Sequence, residues 1–233
     1  MATAHKAAAS RGGDGLPSHH LDDVFLLDYA AGNTSEAVSL LIATHLALCP
    51  ECRARAEELE ALGGAMLESL APTAVDHDAL SAVLARLDVA DEGEPSVLAP
   101  PANDEGQVPS IPMPLRGYLK AEPDALAWQP VIRGLEEYEL DIGGAKTKLL
   151  RIKPGASMPQ HTHEGRELTL VLEGSYDDEI GHFGRGDVAI LDDDHDHRPI
   201  AGPGQDCICL TVIDAPLRLT GRFGRFLNPF VKF

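Results

Sequence analysis

The sequence is poor in basic residues, with 19 lysines and arginines against 37 aspartates and glutamates, which gives a formal net charge of −18. A phosphate-binding surface needs a basic face, so this balance argues against direct binding of nucleic acid. It favours partners with basic surfaces instead. The four cysteines are too few for a disulfide framework in a chain of 233 residues.

Long apolar runs are missing as well. No stretch approaches the roughly 20 apolar residues of a membrane span, and the N-terminus lacks the apolar region of a secretory signal. No internal repeat of about 20–50 residues is present. We therefore expect a reducing, cytoplasmic location, which would keep cysteine thiolates available to bind metal.

Composition divides the chain into four parts. Residues 1–17 are rich in Ala, Gly and Ser and are expected to be disordered, whereas 91–111 form an acidic, proline-rich linker. Residues 18–90 have helical periodicity and predict a small helical domain. Residues 112–233 contain short β-branched or alternating runs punctuated by Gly and Pro, which predict an antiparallel sandwich or barrel.

The helical part contains clear start and stop signals. Gly32 suits the end of the first helix, the segment Asn33 to Glu36 is typical of a capping box, and Pro50 suits the first turn of the third helix. The predicted helical segments are 21–31, 33–46, 50–70 and 76–87. The predicted strand segments are 128–132, 137–142, 146–152, 167–173, 188–191 and 207–213.

A first group of metal-binding residue types lies in the helical part. His45 and Cys49 are four residues apart and share a helix face, and Cys52 follows across a helix junction. One imidazole and two thiolates favour tetrahedral zinc, and either His19 or His20 could supply the fourth ligand. Two buried cysteines and a surface histidine, or a redox motif, are the alternatives.

The surrounding residues resemble the zinc anti-sigma domain of regulators of extracytoplasmic-function sigma factors, in its ChrR-type branch. The likeness is carried by His20-Leu21-Asp22-Asp23 and by the stretch from Ala43 to Arg55, which includes His45-x3-Cys49-x2-Cys52. The resemblance implies zinc ligands at His20, His45, Cys49 and Cys52. It also implies that segments 21–70 and 76–90 grip a sigma factor and block its access to RNA polymerase.

A second group has the pattern Gly155-x5-His161-x-His163-x3-Glu167-x6-Gly174. Two residues apart on a strand, His161 and His163 point the same way. The pattern resembles the first motif of the cupin family, and Gly186-Asp187 resembles the start of the second. That motif implies a further histidine ligand at His197, with His195 as an alternative.

Three histidines and one glutamate suit Zn, Mn, Fe or Ni and leave room for water or substrate. The combined resemblance implies an α plus all-β protein, in which a zinc-stapled helical bundle precedes a cupin barrel. It implies a one-to-one complex with a sigma factor, released when the cupin senses oxidative stress such as singlet oxygen or organic peroxide. The alternative is a cupin oxygenase or isomerase with a zinc docking domain.

Three further features have simpler interpretations. Cys207 and Cys209 are expected to be buried strand residues rather than a redox sensor. The aromatic and basic tail, 218–233, is expected to cap the barrel. The three consecutive aspartates from Asp192 to Asp194 are expected to form a solvated turn, because their spacing does not suit a Ca²⁺ loop.

Overall fold

A computed structural model of the protein describes residues 15–87 and 111–221. Most of the predicted N-terminal tail and linker, and the end of the C-terminal tail, therefore lie outside the described residues. The chain divides into two compact units, of which one joins Met1–Gly63 to Ser110–Phe233 and the other is Gly64–Pro109. The boundary falls within the third helix.

The four predicted helical segments are confirmed, with their ends shifted by a few residues. Asp22 caps the first helix by accepting a hydrogen bond from the Phe25 amide, and Ser35 caps the second by accepting one from the Val38 amide. Gly32 follows the first helix with a φ of 72°, a conformation that glycine adopts without strain. The α-helices in the described residues are α1 Asp23–Ala30, α2 Glu36–Leu48, α3 Pro50–Glu68, α4 Ala79–Leu87 and α5 Met113–Arg116.

A sharp corner separates α2 from α3. Cys49 adopts an extended conformation at the end of α2, and Pro50 is the first residue of α3. The two helices are bent by 120° at this break. Among the described residues no single helix could cross a membrane, and α2 and α3 meet the criteria of length and apolarity only as this bent pair.

The strands form antiparallel sheets, as predicted. The order in the largest sheet is β1-β2-β3-β10-β5-β8, while β7-β6-β9 and β11-β4 form two smaller sheets. Four short strands, β6, β7, β9 and β11, were not predicted individually. The strands are β1 Gln129–Ile132, β2 Leu135–Leu140, β3 Lys146–Ile152, β4 His161–His163, β5 Glu167–Glu173, β6 Ser175–Asp177, β7 His182–Gly184, β8 Val188–Leu191, β9 Ile200–Ala201, β10 Cys207–Ile213 and β11 Leu217–Leu219.

The main sheet is covered on both faces. One core cluster joins α2, through Leu41 and Ile42, to Leu149, Leu170 and Leu210 of the sheet. A second cluster, which includes Tyr176, Phe183 and Cys209, fills the other side. Strand β10 is consequently buried at every residue. Helical residues between Leu21 and Leu59 thus share a core with the strands. The predicted boundaries at 18–90 and 112–233 stay predictions from sequence.

The second unit contains the end of α3 and all of α4. No side chain of α4 is buried, although the helix is strongly apolar. Leu80, Val83, Leu84 and Leu87 lie on one helical face and are 52% to 74% exposed. The face is therefore an exposed apolar surface in the described structure.

Candidate metal centres

The first candidate centre lies at the corner between α2 and α3. His45 is in the last turn of α2, Cys49 is at the corner, and Cys52 is in the first turn of α3. His20 approaches from the segment ahead of α1. One possible ligand atom from each of these four residues lies within 4.8 Å of the others.

The spacing fits a tetrahedral zinc ion. His20 Nδ1 lies 3.3 Å from Cys49 Sγ and 3.5 Å from Cys52 Sγ. With Zn–N of about 2.0 Å and Zn–S of about 2.3 Å, tetrahedral ligand atoms are about 3.3–3.8 Å apart. His45 Nε2 is buried without a hydrogen-bond partner among the described residues, as expected of an atom that a metal would satisfy.

The protein holds His45 in the tautomer that metal binding needs. Its Nδ1 donates a 2.8 Å hydrogen bond to the carbonyl oxygen of Gly186, which leaves a lone pair on Nε2. Burial lowers the pKa of His45 to about 4, so the imidazole is neutral at pH 7. Burial and the neighbouring Cys49 raise the pKa of Cys52 to about 12, so metal binding must displace a proton from this thiol.

The structure separates the two candidates for the fourth ligand. His20 joins the cluster, whereas the His19 ring packs on Phe183 with ring centroids 4.3 Å apart. The Nδ1 atom of His19 lies 3.5 Å from the Asp187 carboxylate. His19 is thus placed as a neighbour of the cluster, and metal binding by the four residues of the cluster stays a prediction.

The second candidate centre lies at the barrel end where β4 begins and the loop after β8 returns. His161 and His163 occupy alternate positions of β4, and His197 pairs with His161 through two backbone hydrogen bonds. His197 Nε2 lies 3.1 Å from His161 Nε2 and 3.2 Å from His163 Nε2. We call these three residues the histidine triad.

The geometry of the triad suits a first-row metal. Nitrogen atoms at 2.0–2.1 Å from an ion lie about 2.8–3.0 Å apart in an octahedral arrangement and about 3.3–3.4 Å apart in a tetrahedral one, and the observed distances lie between these ranges. His161 Nδ1 donates to the Pro159 carbonyl at 2.7 Å, which leaves its Nε2 lone pair free. Burial lowers the pKa of His161 to about 4 and that of His163 to about 3, so both rings are neutral at pH 7.

Glu167 does not join the triad as closely as the cupin pattern implies. Its Oε1 accepts a 2.7 Å hydrogen bond from Thr169 Oγ1, and its Oε2 lies 3.4 Å from His163 Nδ1, on the far side of that ring from Nε2. Burial raises the pKa of its carboxyl group. To become the fourth ligand, the Glu167 carboxylate would have to move closer to the three Nε2 atoms.

The alternative ligand His195 is turned away from the triad. Its Nδ1 lies 2.7 Å from Asp192 Oδ1, and its side chain is 38% exposed. Asp192, Asp193 and Asp194 lie close together and are half-buried or exposed. This is the expected geometry of a solvated acidic turn.

A small cavity of about 20 Å³ lies beside the triad, with His161, His197, Glu167, Tyr176 and Cys209 in its wall. Space of this size is enough for about one water molecule. Cys209 is buried, as is Cys207, as predicted for strand residues, and their sulfur atoms lie 3.6 Å apart.

Sequence reasoning missed two carboxylates that support the clusters. His197 Nδ1 donates to Asp178 Oδ2 at 2.9 Å, which directs the His197 Nε2 lone pair into the triad. Burial opposes the charge on Asp178, but hydrogen bonds from His197 and from the Ile180 and Gly181 amides hold its pKa below the ordinary value. Asp187 accepts hydrogen bonds from the backbone of the segment directly ahead of His20. In the sequence, Asp187 was recognised only as part of the second cupin motif.

Comparison with known proteins agrees with this architecture. The ChrR cupin-like domain matches residues 118–215. Over 215 residues the chain is 42% identical to the anti-sigma-E factor ChrR of Cereibacter sphaeroides, which covers 92% of this chain and 98% of that protein.

A solved structure gives the same result. The crystal structure of Rhodobacter sphaeroides SigE in complex with the anti-sigma ChrR matches with a TM-score of 0.73 and 42% identity, over 84% of this chain and 98% of that chain. An RmlC-like cupin protein of Ralstonia eutropha is a much weaker match, 19% identical over 43% of this chain and 70% of its own, with a TM-score of 0.38. Given the identity over nearly the whole length of both sequences, the chain belongs to the ChrR family of anti-sigma factors.

Proposed function

We propose that this protein is an anti-sigma factor that sequesters an extracytoplasmic-function sigma factor in a one-to-one complex. The main support is the 42% identity to anti-sigma-E factor ChrR over 92% of the chain. A cytoplasmic location belongs to the same proposal, because sigma factors act on RNA polymerase. Direct binding to nucleic acid is not expected at a net charge of −18.

The exposed apolar face of α4 supports a protein partner. Burying four such side chains would contribute roughly 1.5–3 kcal/mol each, before the costs of association. The exposed Leu62, Met66 and Leu67 at the end of α3 add apolar surface of the same kind. We infer that both helices contribute to the sigma-binding surface.

Zinc in the helical cluster is proposed to hold the corner between α2 and α3. A tetrahedral ion would link His20, ahead of α1, to residues on both sides of the corner. We expect its loss to release that corner and so disturb the sigma-binding surface.

The histidine triad is proposed to bind a divalent metal, Zn, Mn, Fe or Ni, with Glu167 recruited as the fourth ligand. Such a site would supply a centre at which singlet oxygen or an organic peroxide changes the ligands and favours release of the sigma factor. The alternative is a cupin oxygenase or isomerase, because a metal held by three histidines would have coordination positions left for a substrate. The cavity of about 20 Å³ leaves little room for a substrate, so we favour the sensory role.

The proposal is tested with the full chain. Purified protein is mixed with each extracytoplasmic-function sigma factor of the source cell, and the mass of any complex and its metal content are measured by light scattering and elemental analysis. A one-to-one complex with one sigma factor is expected. A metal-loaded chain that binds none of them would refute the proposal.

The Cys49→Ser variant should lose the metal of the helical cluster and, with it, sigma binding. Zinc content should fall by about one ion per chain, because a structural site requires both thiolates. Cys207→Ala is the matched control, since it removes a buried thiol that lies outside the metal cluster, and it should leave sigma binding intact. Tight sigma binding by Cys49→Ser would contradict the role given to zinc.

A further inference from the structure

One β-hairpin contacts both metal clusters. This hairpin comprises β6, β7 and the turn that follows them, residues 175–188, and we call it the coupling hairpin. At one end its Asp178 accepts the hydrogen bond from His197 of the triad, and its Tyr176 lines the adjacent cavity. The Asp178 side chain is fully buried, so this contact is shielded from solvent.

The other end of the hairpin holds the segment that carries His20. Asp187 Oδ1 accepts hydrogen bonds from the backbone amides of Ser18 at 2.5 Å and His19 at 2.8 Å. Its Oδ2 accepts one from the Gly184 amide at 2.7 Å. Asp187 is 4% exposed, and these bonds to backbone groups fix the segment directly ahead of His20.

The same turn also fixes the second imidazole of the helical cluster. The Gly186 carbonyl accepts the hydrogen bond of His45 Nδ1, and the Val188 amide donates to the His19 carbonyl at 3.2 Å. Three consecutive residues of the barrel, 186–188, therefore set the positions of both imidazoles in the helical cluster.

Aromatic packing provides a second connection along the hairpin. The His19 ring packs on Phe183, and the Phe183 ring stacks on Tyr176 with centroids 4.9 Å apart. Tyr176 reaches the cavity beside the triad. Packed rings thus extend without a break from that cavity to His19, the residue next to His20. Tightly packed side chains transmit a displacement, because the core has no free space in which to absorb it.

We infer that the coupling hairpin links the two clusters energetically, with Asp187 as a positioning residue for the helical cluster. A change at His197 moves Asp178 and the hairpin, and Asp187 passes the movement to the segment that ends at His20. The inference rests on the proposed function, since it supplies the route from the sensory cluster to the cluster that shapes the sigma-binding helices. Coupling of this kind is reciprocal, so occupancy of either site changes the affinity of the other.

The test uses cobalt, because a cobalt ion bound by thiolates has a charge-transfer absorption that imidazole ligands do not produce. The full chain is loaded with Co²⁺, and loss of this band is followed after addition of EDTA. The Cys49→Ser variant establishes that the band comes from the helical cluster. If the full chain shows no such band, the metal site on which the inference rests is refuted and so is the inference.

Asp187→Ala should weaken cobalt retention by about 10- to 100-fold, the usual effect of losing a group that positions metal ligands. Asp187→Asn should lie between the wild type and Asp187→Ala, because an amide oxygen can still accept from Ser18 and His19. Asp177→Ala is the matched control, since Asp177 lies on the same hairpin and its exposed carboxylate pairs with the exposed His182. Equal retention by Asp187→Ala and Asp177→Ala would overturn the positioning role.

A double-mutant cycle tests the coupling itself. His197→Ala should speed cobalt loss from the helical cluster several-fold when Asp187 is present and should add little to Asp187→Ala. Full additivity, or no effect of His197→Ala, would overturn the coupling. Sigma binding is measured on the same samples, so a chain that binds sigma without coupling refutes only this inference.

Amide exchange gives a readout that does not depend on an Asp187 variant remaining folded. His197→Ala should speed hydrogen exchange of the Ser18 and His19 amides, whereas Asp177→Ala should not. Unchanged exchange of these amides in His197→Ala would also overturn the coupling.

Discussion

At the scale of single residues, both candidate metal clusters keep buried imidazoles neutral. Burial lowers the pKa of His45, His161 and His163 to between about 3 and 4, while backbone or carboxylate acceptors fix the tautomers of His45, His161 and His197. The rings are therefore in the neutral form and the tautomer that metal binding would require. Burial of neutral histidines also makes the stability of the fold sensitive to acid.

We predict that the metal-free protein loses stability as pH falls from about 6.5 towards about 4. In this window the unfolded histidines, with an ordinary pKa of 6.5, bind protons that the folded ones do not, so stability rises with pH. Each buried histidine should cost roughly 1 kcal/mol of unfolding free energy at pH 5.5. Urea unfolding at a series of pH values measures the slope.

The exposed His182 supplies the control for this experiment. His182→Ala should retain the pH dependence of the wild type, whereas His45→Asn should reduce it. A free energy of unfolding that stays constant from pH 7 to pH 5 would contradict the prediction.

At the scale of elements, the turn between β7 and β8 lies in close contact with the helical part of the chain. Gly186 has a φ of 90°, and a Cβ atom there would lie 2.6 Å from Pro17 Cγ and 3.5 Å from Leu48 Cβ. The turn therefore needs glycine both for its backbone conformation and for the close approach of Pro17. This requirement explains the glycine in the sequence pattern Gly186-Asp187.

We predict that Gly186→Ala is more harmful than Gly204→Ala. Both glycines have positive φ, but a Cβ at Gly204 would meet nothing within 4 Å, so that variant reports the backbone cost alone, about 1–2 kcal/mol. Gly186→Ala should cost more and should also weaken metal retention by the helical cluster. Equal losses of unfolding free energy in the two variants would show that the contact with Pro17 contributes nothing.

The exposed face of α4 gives a second prediction at this scale. Leu84→Glu should weaken sigma binding at least tenfold and leave the unfolding transition unchanged, because the helix buries no side chain in the free protein. Ala82→Glu, on the opposite helical face, is the control and should bind normally. Titration calorimetry measures the affinity, and equal affinities would exclude this face from the interface.

At the scale of the whole molecule, charge and core have separate roles. The net charge of −18 affects solubility and the approach of a basic partner rather than the fold. The fold depends on a core in which α2 covers one face of the main sheet. Because helices and barrel share that core, a disturbance in one can reach the other without passing through the linker.

We predict that association with the sigma factor becomes slower as salt concentration rises. Screening shortens the range of the acidic field from about 10 Å at 0.1 M to about 3 Å at 1 M, so the association rate should fall while dissociation changes little. Stopped-flow mixing at several NaCl concentrations measures both rates. An association rate independent of salt would show that the acidic surface does not steer the partner.

Local sequence patterns were enough to predict the longer helices, most of the strands and most of the candidate ligands. Helix caps at Asp22 and Ser35 depend on neighbouring residues, and so do the alternating β-branched runs, so local patterns were sufficient to predict them. The spacing of His45, Cys49 and Cys52 similarly fixed their positions around one helix corner before any tertiary contact was known.

The contacts that these elements make with one another depend on the folded arrangement of the whole chain and could not be predicted locally. Asp178 and Asp187 could not be recognised as supports, because each acts on a group far along the chain: Asp187 on residues about 170 positions earlier, for example. The same applies to the packing of the His19 ring on Phe183 and to the position of Glu167 beside Thr169. Local patterns specify which way a side chain points along its own element, whereas these outcomes depend on long-range packing of the helices against the barrel.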